Sequence, residues 1–145
     1  MGSAEGWQVR FWVQLEPVPK GRPRFSRAGG GVRTRTDKRT RAFEEQLSLL
    51  SARYAPPAPL AGPVRLSLEF VLSPPKRLRA RVLRGEAPEP AVKPDLDNLV
   101  KAVADALERS GRWFLKGDQQ ITHLLASKSY GEPAGVWVEV GGGDR

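Results

Sequence analysis

Lys93-Pro94-Asp95-Leu96-Asp97-Asn98-Leu99-Val100-Lys101 marks a passage from loop into helix. A proline disfavours helical geometry in the residue before it, so Lys93 is expected to be extended. Beyond it, Leu99, Val103, Ala106 and Leu107 recur at helical spacing, and Gly111 stands where a left-handed cap would end the helix. The helix is therefore expected to start near Asp97. If Asp95 to Asp97 is extended, period two turns both carboxylates to one side and Leu96 toward the core. Lys101 follows four residues after Asp97, on the same helical face. Two carboxylates and an ammonium then meet at a helix N-terminus, where free N–H groups and partial positive charge attract phosphate. Close carboxylates repel, so a divalent cation is their natural partner. Mg²⁺ favours few carboxylates together with water and phosphate oxygens. The plainer alternative is an N-capping Asp97 paired with Lys101, worth ~0.3–0.5 kcal/mol.

Outward from this segment the chain alternates. Trp7, Val9, Phe11, Val13 and Leu15 keep period two, as do Val64, Leu66, Leu68, Phe70 and Leu72. Phe43, Leu47, Leu50 and Tyr54 mark a helix from roughly Asp37 to Tyr54, with Thr36 as its N-cap and Pro56 and Pro57 beyond it. Ile121 to Lys128 reads as a third strand, with Ile121, His123 and Leu125 on one side. Val136, Val138 and Val140 read as a fourth, paired with the third as a hairpin. The order β-α-β-α-β-β implies one α/β domain over residues 1–145, a small mixed sheet of about four strands with two main helices. Flexible basic loops are expected near 20–36 and 73–93, the second with room for one short helix.

The formal net charge is +8, and cysteine is absent. The first excludes nothing but favours a polyanionic partner. The second excludes a disulfide scaffold and cysteine-bound zinc. No apolar run is long enough to span a bilayer, and the first residues lack signal-peptide order, so a cytoplasmic, nucleoid-associated location is expected, with no membrane partner. Lys20, Arg22, Arg24 and Arg27 form one basic tract; Lys76, Arg77, Arg79 and Arg81 form another. Each is a solvated face or a phosphate-binding surface, and a phosphodiester site nearby would favour the second. His123, the only histidine, reads as a sheet residue rather than a base.

The string Lys93 to Lys101, then Asp105-Ala106-Leu107, then Gly117-Asp118-x-Gln120-Ile121, resembles the RusA-type Holliday junction resolvases. Pro17-Val18-Pro19-Lys20-Gly21-Arg22-Pro23-Arg24 and Lys128-Ser129-Tyr130-Gly131 extend the resemblance over most of the chain, in the expected order. The resemblance implies an α/β homodimer that cuts four-way DNA junctions by paired nicks with Mg²⁺, for which Mn²⁺ is a possible substitute. No organic cofactor is implied. It implies metal-binding and catalytic roles for Asp95, Asp97 and Asp118 and a catalytic role for Lys101. Asn98, Asp105 and Gln120 are candidate supporting residues around them. The family usually carries two acids before the Gln-Ile/Val pair; here the first position is Gly117. Two other functions stay open: a junction- or fork-binding protein that does not cut, and a nuclease of broader taste for branched DNA.

Overall fold

The computed structural model describes residues 6–21, 24–28, 31–35 and 38–142, with backbone alone for 24–28 and 31–35. In chain order the elements are β1 (Gln8–Val13), β2 (Arg24–Ala28), β3 (Gly31–Arg35), α1 (Lys38–Ser51), β4 (Val64–Leu72), α2 (Arg79–Leu83), α3 (Leu96–Ser110), β5 (Ile121–Tyr130) and β6 (Gly135–Gly142). Single 3₁₀ turns lie at Ala52–Tyr54, Lys76–Leu78 and Asp118–Gln120. The α/β class, the mixed four-stranded sheet and the two long helices are as the sequence predicts. Thr36 and Asp37, the expected start of α1, lie outside the described residues.

The sheet order is β1-β6-β4-β5. β6 lies between β1 and β4, antiparallel to both, whereas β5 runs parallel to β4. The expected β5–β6 hairpin is therefore not formed. β4, with Val64, Leu66, Leu68, Phe70 and Leu72 all buried, takes an interior position between the two and separates them. The short 131–134 connection steps across its end, where Gly131 N–H donates to Leu72 O at 3.0 Å. The segment near 20–36, expected as a flexible loop, contains the antiparallel ribbon β2–β3, with Arg24 opposite Arg35.

One sheet face carries the core. Phe11 and Val13 of β1, the alternate residues of β4, and Val136, Val138 and Val140 meet Phe43 and Leu47 of α1 and Leu99, Val103, Ala106 and Leu107 of α3. Trp113, in the connector after α3, is fully buried among them, its ring 5.8 Å from Phe11 and 6.2 Å from Trp7. The outer face is polar and aromatic: Trp12 packs on Trp137, and Arg10 lies over Trp137 and pairs with Glu69 and Glu139. A register shift between Val64 and Arg65 puts Ile121 opposite Val64 but His123 opposite Arg65, so Ile121 and His123 do not share a face. β5 is an edge strand, and Leu124 and Leu125 on it stay exposed.

Leu68 is the middle residue of β4, one of the two interior strands, and is 1 % exposed. Leu68→Ala is expected to cost about 2–5 kcal/mol of unfolding free energy by denaturant titration.

Candidate active site

β4 and β5 are the parallel pair of the sheet, and a crossover through α3 joins them. In open α/β sheets, ligands gather beyond the carboxyl ends of such strands. A cleft of about 810 Å³ lies there, bordered by Leu72, Ser73, Tyr130, the 92–95 loop, and Pro19 and Lys20 from the other side. Asp95 stands on its wall as the N-cap of α3, backbone extended, its carboxylate making no cap hydrogen bond. Lys128 fixes this loop from below: its ammonium donates to Val92 O at 2.6 Å and Pro94 O at 2.8 Å. The role was not read from the sequence. Its trace is a lysine at the parity of Ala126 and Tyr130, which pack against the core across from Leu68 and Leu72.

The helix begins at Leu96, one residue earlier than expected, so Asp97 belongs to its first turn. Period two no longer applies across Asp95 and Asp97, and their carboxylates are not aligned by a strand. Asp97 Oδ1 accepts from Asn98 N–H at 2.9 Å, and the Asp95 carboxylate has Lys93 4.0 Å away. Lys101 does not pair with Asp97. It turns the other way along α3, 3.4 Å from Asp105 Oδ1 and 4.0 Å from Asp118 Oδ2.

Asp118 is held through its backbone. Its N–H donates to Glu108 Oε1 at 2.8 Å. Gln120, expected as a supporting residue, orients this turn. Its amide donates to Leu60 O and Gly62 O, and its Oε1 accepts from the N–H of Lys116 and Gly117. Gly117 adopts φ +138°, a region open essentially to glycine alone. That explains why an acid does not stand there in this backbone. Glu108 is a second residue missed by sequence reasoning, because its spacing marks only a helix surface.

Lys20, expected among the phosphate contacts, is largely enclosed. Its ammonium lies 2.7 Å from Glu44 Oε2 and 3.0 Å from Asp105 Oδ2, and Glu44 is buried. Burial opposes its charge, but the hydrogen bonds and charges of Glu44 and Asp105 outweigh that and raise its pKa above the ordinary lysine value. Lys76, Arg77, Arg79 and Arg81 are exposed on the turn and helix after β4. Arg79 pairs with Glu132 and Arg81 donates to Glu86 O. Arg22 lies outside the described residues, as do the side chains of Arg24 and Arg27.

Asp95, Asp97 and Asp118 all offer exposed or half-exposed carboxylate oxygens, the donor type that Mg²⁺ takes. Among the described residues no three acidic or histidine side chains are gathered closely enough to hold an ion by themselves. Mg²⁺ commonly uses one or two carboxylates and completes its octahedron with water and phosphate oxygens, so the donor chemistry fits.

The family model for endodeoxyribonuclease RusA matches residues 14–141. The chain belongs to the RusA family. The chain is also similar to the uncharacterized protein YqaN of Bacillus subtilis (strain 168), 33 % identical over 137 residues, covering 91 % of this chain and 94 % of the relative. RusA membership assigns endodeoxyribonuclease activity to the chain.

Lys128→Met removes two charge-assisted hydrogen bonds to the Asp95 loop, each worth about 1.5–3 kcal/mol at most. Hydrogen–deuterium exchange is expected to accelerate in peptides over 92–96 and to stay unchanged in β6.

Proposed function

We propose that this RusA-family endodeoxyribonuclease resolves four-way DNA junctions by paired symmetric nicks, with Mg²⁺ bound by Asp95, Asp97 and Asp118. The observation that carries the reading is Lys101, an exposed ammonium on α3 shared between Asp105 and Asp118 and free to meet a phosphate oxygen. When bound, the ion supplies Lewis-acid polarisation of the phosphate and a water of lowered pKa.

The protein's own groups do the rest. Lys101 meets the growing negative charge on the phosphate, a role that gains most in the transition state. The first turn of α3 adds free N–H groups beside Asp95. Lys128 holds the Asp95 loop, and Glu108 with Gln120 holds the turn that carries Asp118. The exposed cations at Lys76, Arg77, Arg79 and Arg81, with the tract from Arg22 to Arg27, supply phosphate contacts that carry no sequence information. Preference for a junction then comes from its shape. Two matched nicks require two sites, and a two-fold homodimer provides them.

The test uses a labelled four-way junction and a matched linear duplex, each with Mg²⁺ and with chelator. Paired nicks in the junction alone, lost with chelator and in Asp97→Asn, are the expected result. Tight binding without cleavage would replace the enzyme by a junction-binding protein. Equal cutting of flaps would widen the substrate to branched DNA in general. Light scattering at working concentration is expected to find a dimer.

Lys101→Ala is expected to lower single-turnover cleavage by about 10²–10³-fold. Junction affinity, read by gel shift, should change little; an equal loss in both would remove Lys101 from the chemistry.

A further inference from the structure

Five charged side chains form one alternating line from the interior to the surface: Glu44, Lys20, Asp105, Lys101 and Asp118. The successive nitrogen–oxygen separations are 2.7, 3.0, 3.4 and 4.0 Å. The inner end is rigid. Glu44 is 7 % exposed, and Arg109 lies 3.6 Å from its other oxygen. The backbone around Lys20 is fixed on both helices: Lys20 N–H donates to Asn98 O of α3, Gly21 N–H donates to Thr40 Oγ1 of α1, and that hydroxyl donates to Pro19 O. The outer end is open to solvent: the Lys101 side chain is 57 % exposed.

Asp105 is the pivot. Its Oδ2 faces Lys20 and its Oδ1 faces Lys101. A carboxylate already neutralised by one close ammonium attracts a second one less strongly. Without Lys20, the whole charge of Asp105 would fall on Lys101, the more mobile partner, and draw it away from Asp118.

We infer that Lys20 is a positioning residue: by occupying one oxygen of Asp105 it keeps Lys101 extended toward Asp118. The inference rests on the proposed role of Lys101 at the phosphate. It also divides the first basic tract, turning Lys20 inward, away from DNA.

The test compares Lys20→Met, Asp105→Asn and the double variant. Lys20→Met is expected to lower single-turnover cleavage by about 10–100-fold, the range for outer partners of metal sites. Junction affinity and its salt dependence stay at the wild-type value. Adding Asp105→Asn to Lys20→Met should return cleavage to the level of Asp105→Asn alone, because no charge is left to capture Lys101. A fall in affinity with the salt slope reduced by about one would make Lys20 a phosphate contact and overturn the inference. Failure of Asp105→Asn to relieve the defect would overturn it equally, leaving a role in stability alone. If Glu44, left with Arg109 alone, prevents folding of Lys20→Met, Lys20→Met/Glu44→Gln carries the same comparison.

A second readout does not depend on cutting. Trace acylation of amines, followed by mass spectrometry, is expected to find Lys101 severalfold less reactive in Lys20→Met and restored in the double variant. Unchanged Lys101 reactivity would sink the positioning role even in a protein that cleaves. A wild-type protein that cleaves nothing yet gives the expected labelling would remove the nuclease reading and leave the positioning intact.

Discussion

The parallel pairing of β4 with β5 organises everything else. Two parallel neighbours cannot be joined by a tight turn; the chain must travel back along the sheet, and here it does so through α3. That single requirement puts the start of α3 beyond the carboxyl end of β4, and it delivers Asp118 to the start of β5. Lys128, late on β5, then comes level with the Asp95 loop and ties down its carbonyls. An antiparallel β4–β5 hairpin would need no α3 crossover and would leave these groups apart.

The second organising feature is the seam between α1 and α3. Apolar packing closes most of it, through Phe43, Leu47, Leu99 and Val103. Where the seam meets the 17–21 loop it becomes ionic, with Lys20 between Glu44 and Asp105. Charges this enclosed add little net stability against an apolar substitute, but breaking one partner is costly. What such a pair provides is geometry. It gives α3 a defined rotation, and therefore a defined direction for Lys101.

Much of this was legible in the sequence because it depends on local periodicity. The alternation in β1, β4 and β6, the apolar stripe of α3 and the glycine cap at Gly111 each follow from spacing, and Gly111 does adopt the left-handed φ of 69°. Strand partnership is a property of the whole sheet, so the short 131–134 link misled toward a hairpin. Lys101 was placed with Asp97 because both lie on one helical face. Its choice of Asp105 and Asp118 depends on a turn fixed by Gln120 and Glu108, which no spacing reveals. Lys20 looked like its basic neighbours in one dimension; only the fold distinguishes the lysine that points in.

The outer sheet face has a use of its own. Every candidate active-site group sits on the helix side or at the strand ends, while Ser67, Glu69, Ser127 and Trp137 present their side chains to the opposite surface. The chain contains no cysteine. One thiol introduced at the exposed Ser127 would therefore be unique, and a fluorophore or tether attached there would report from behind the chemistry rather than within it.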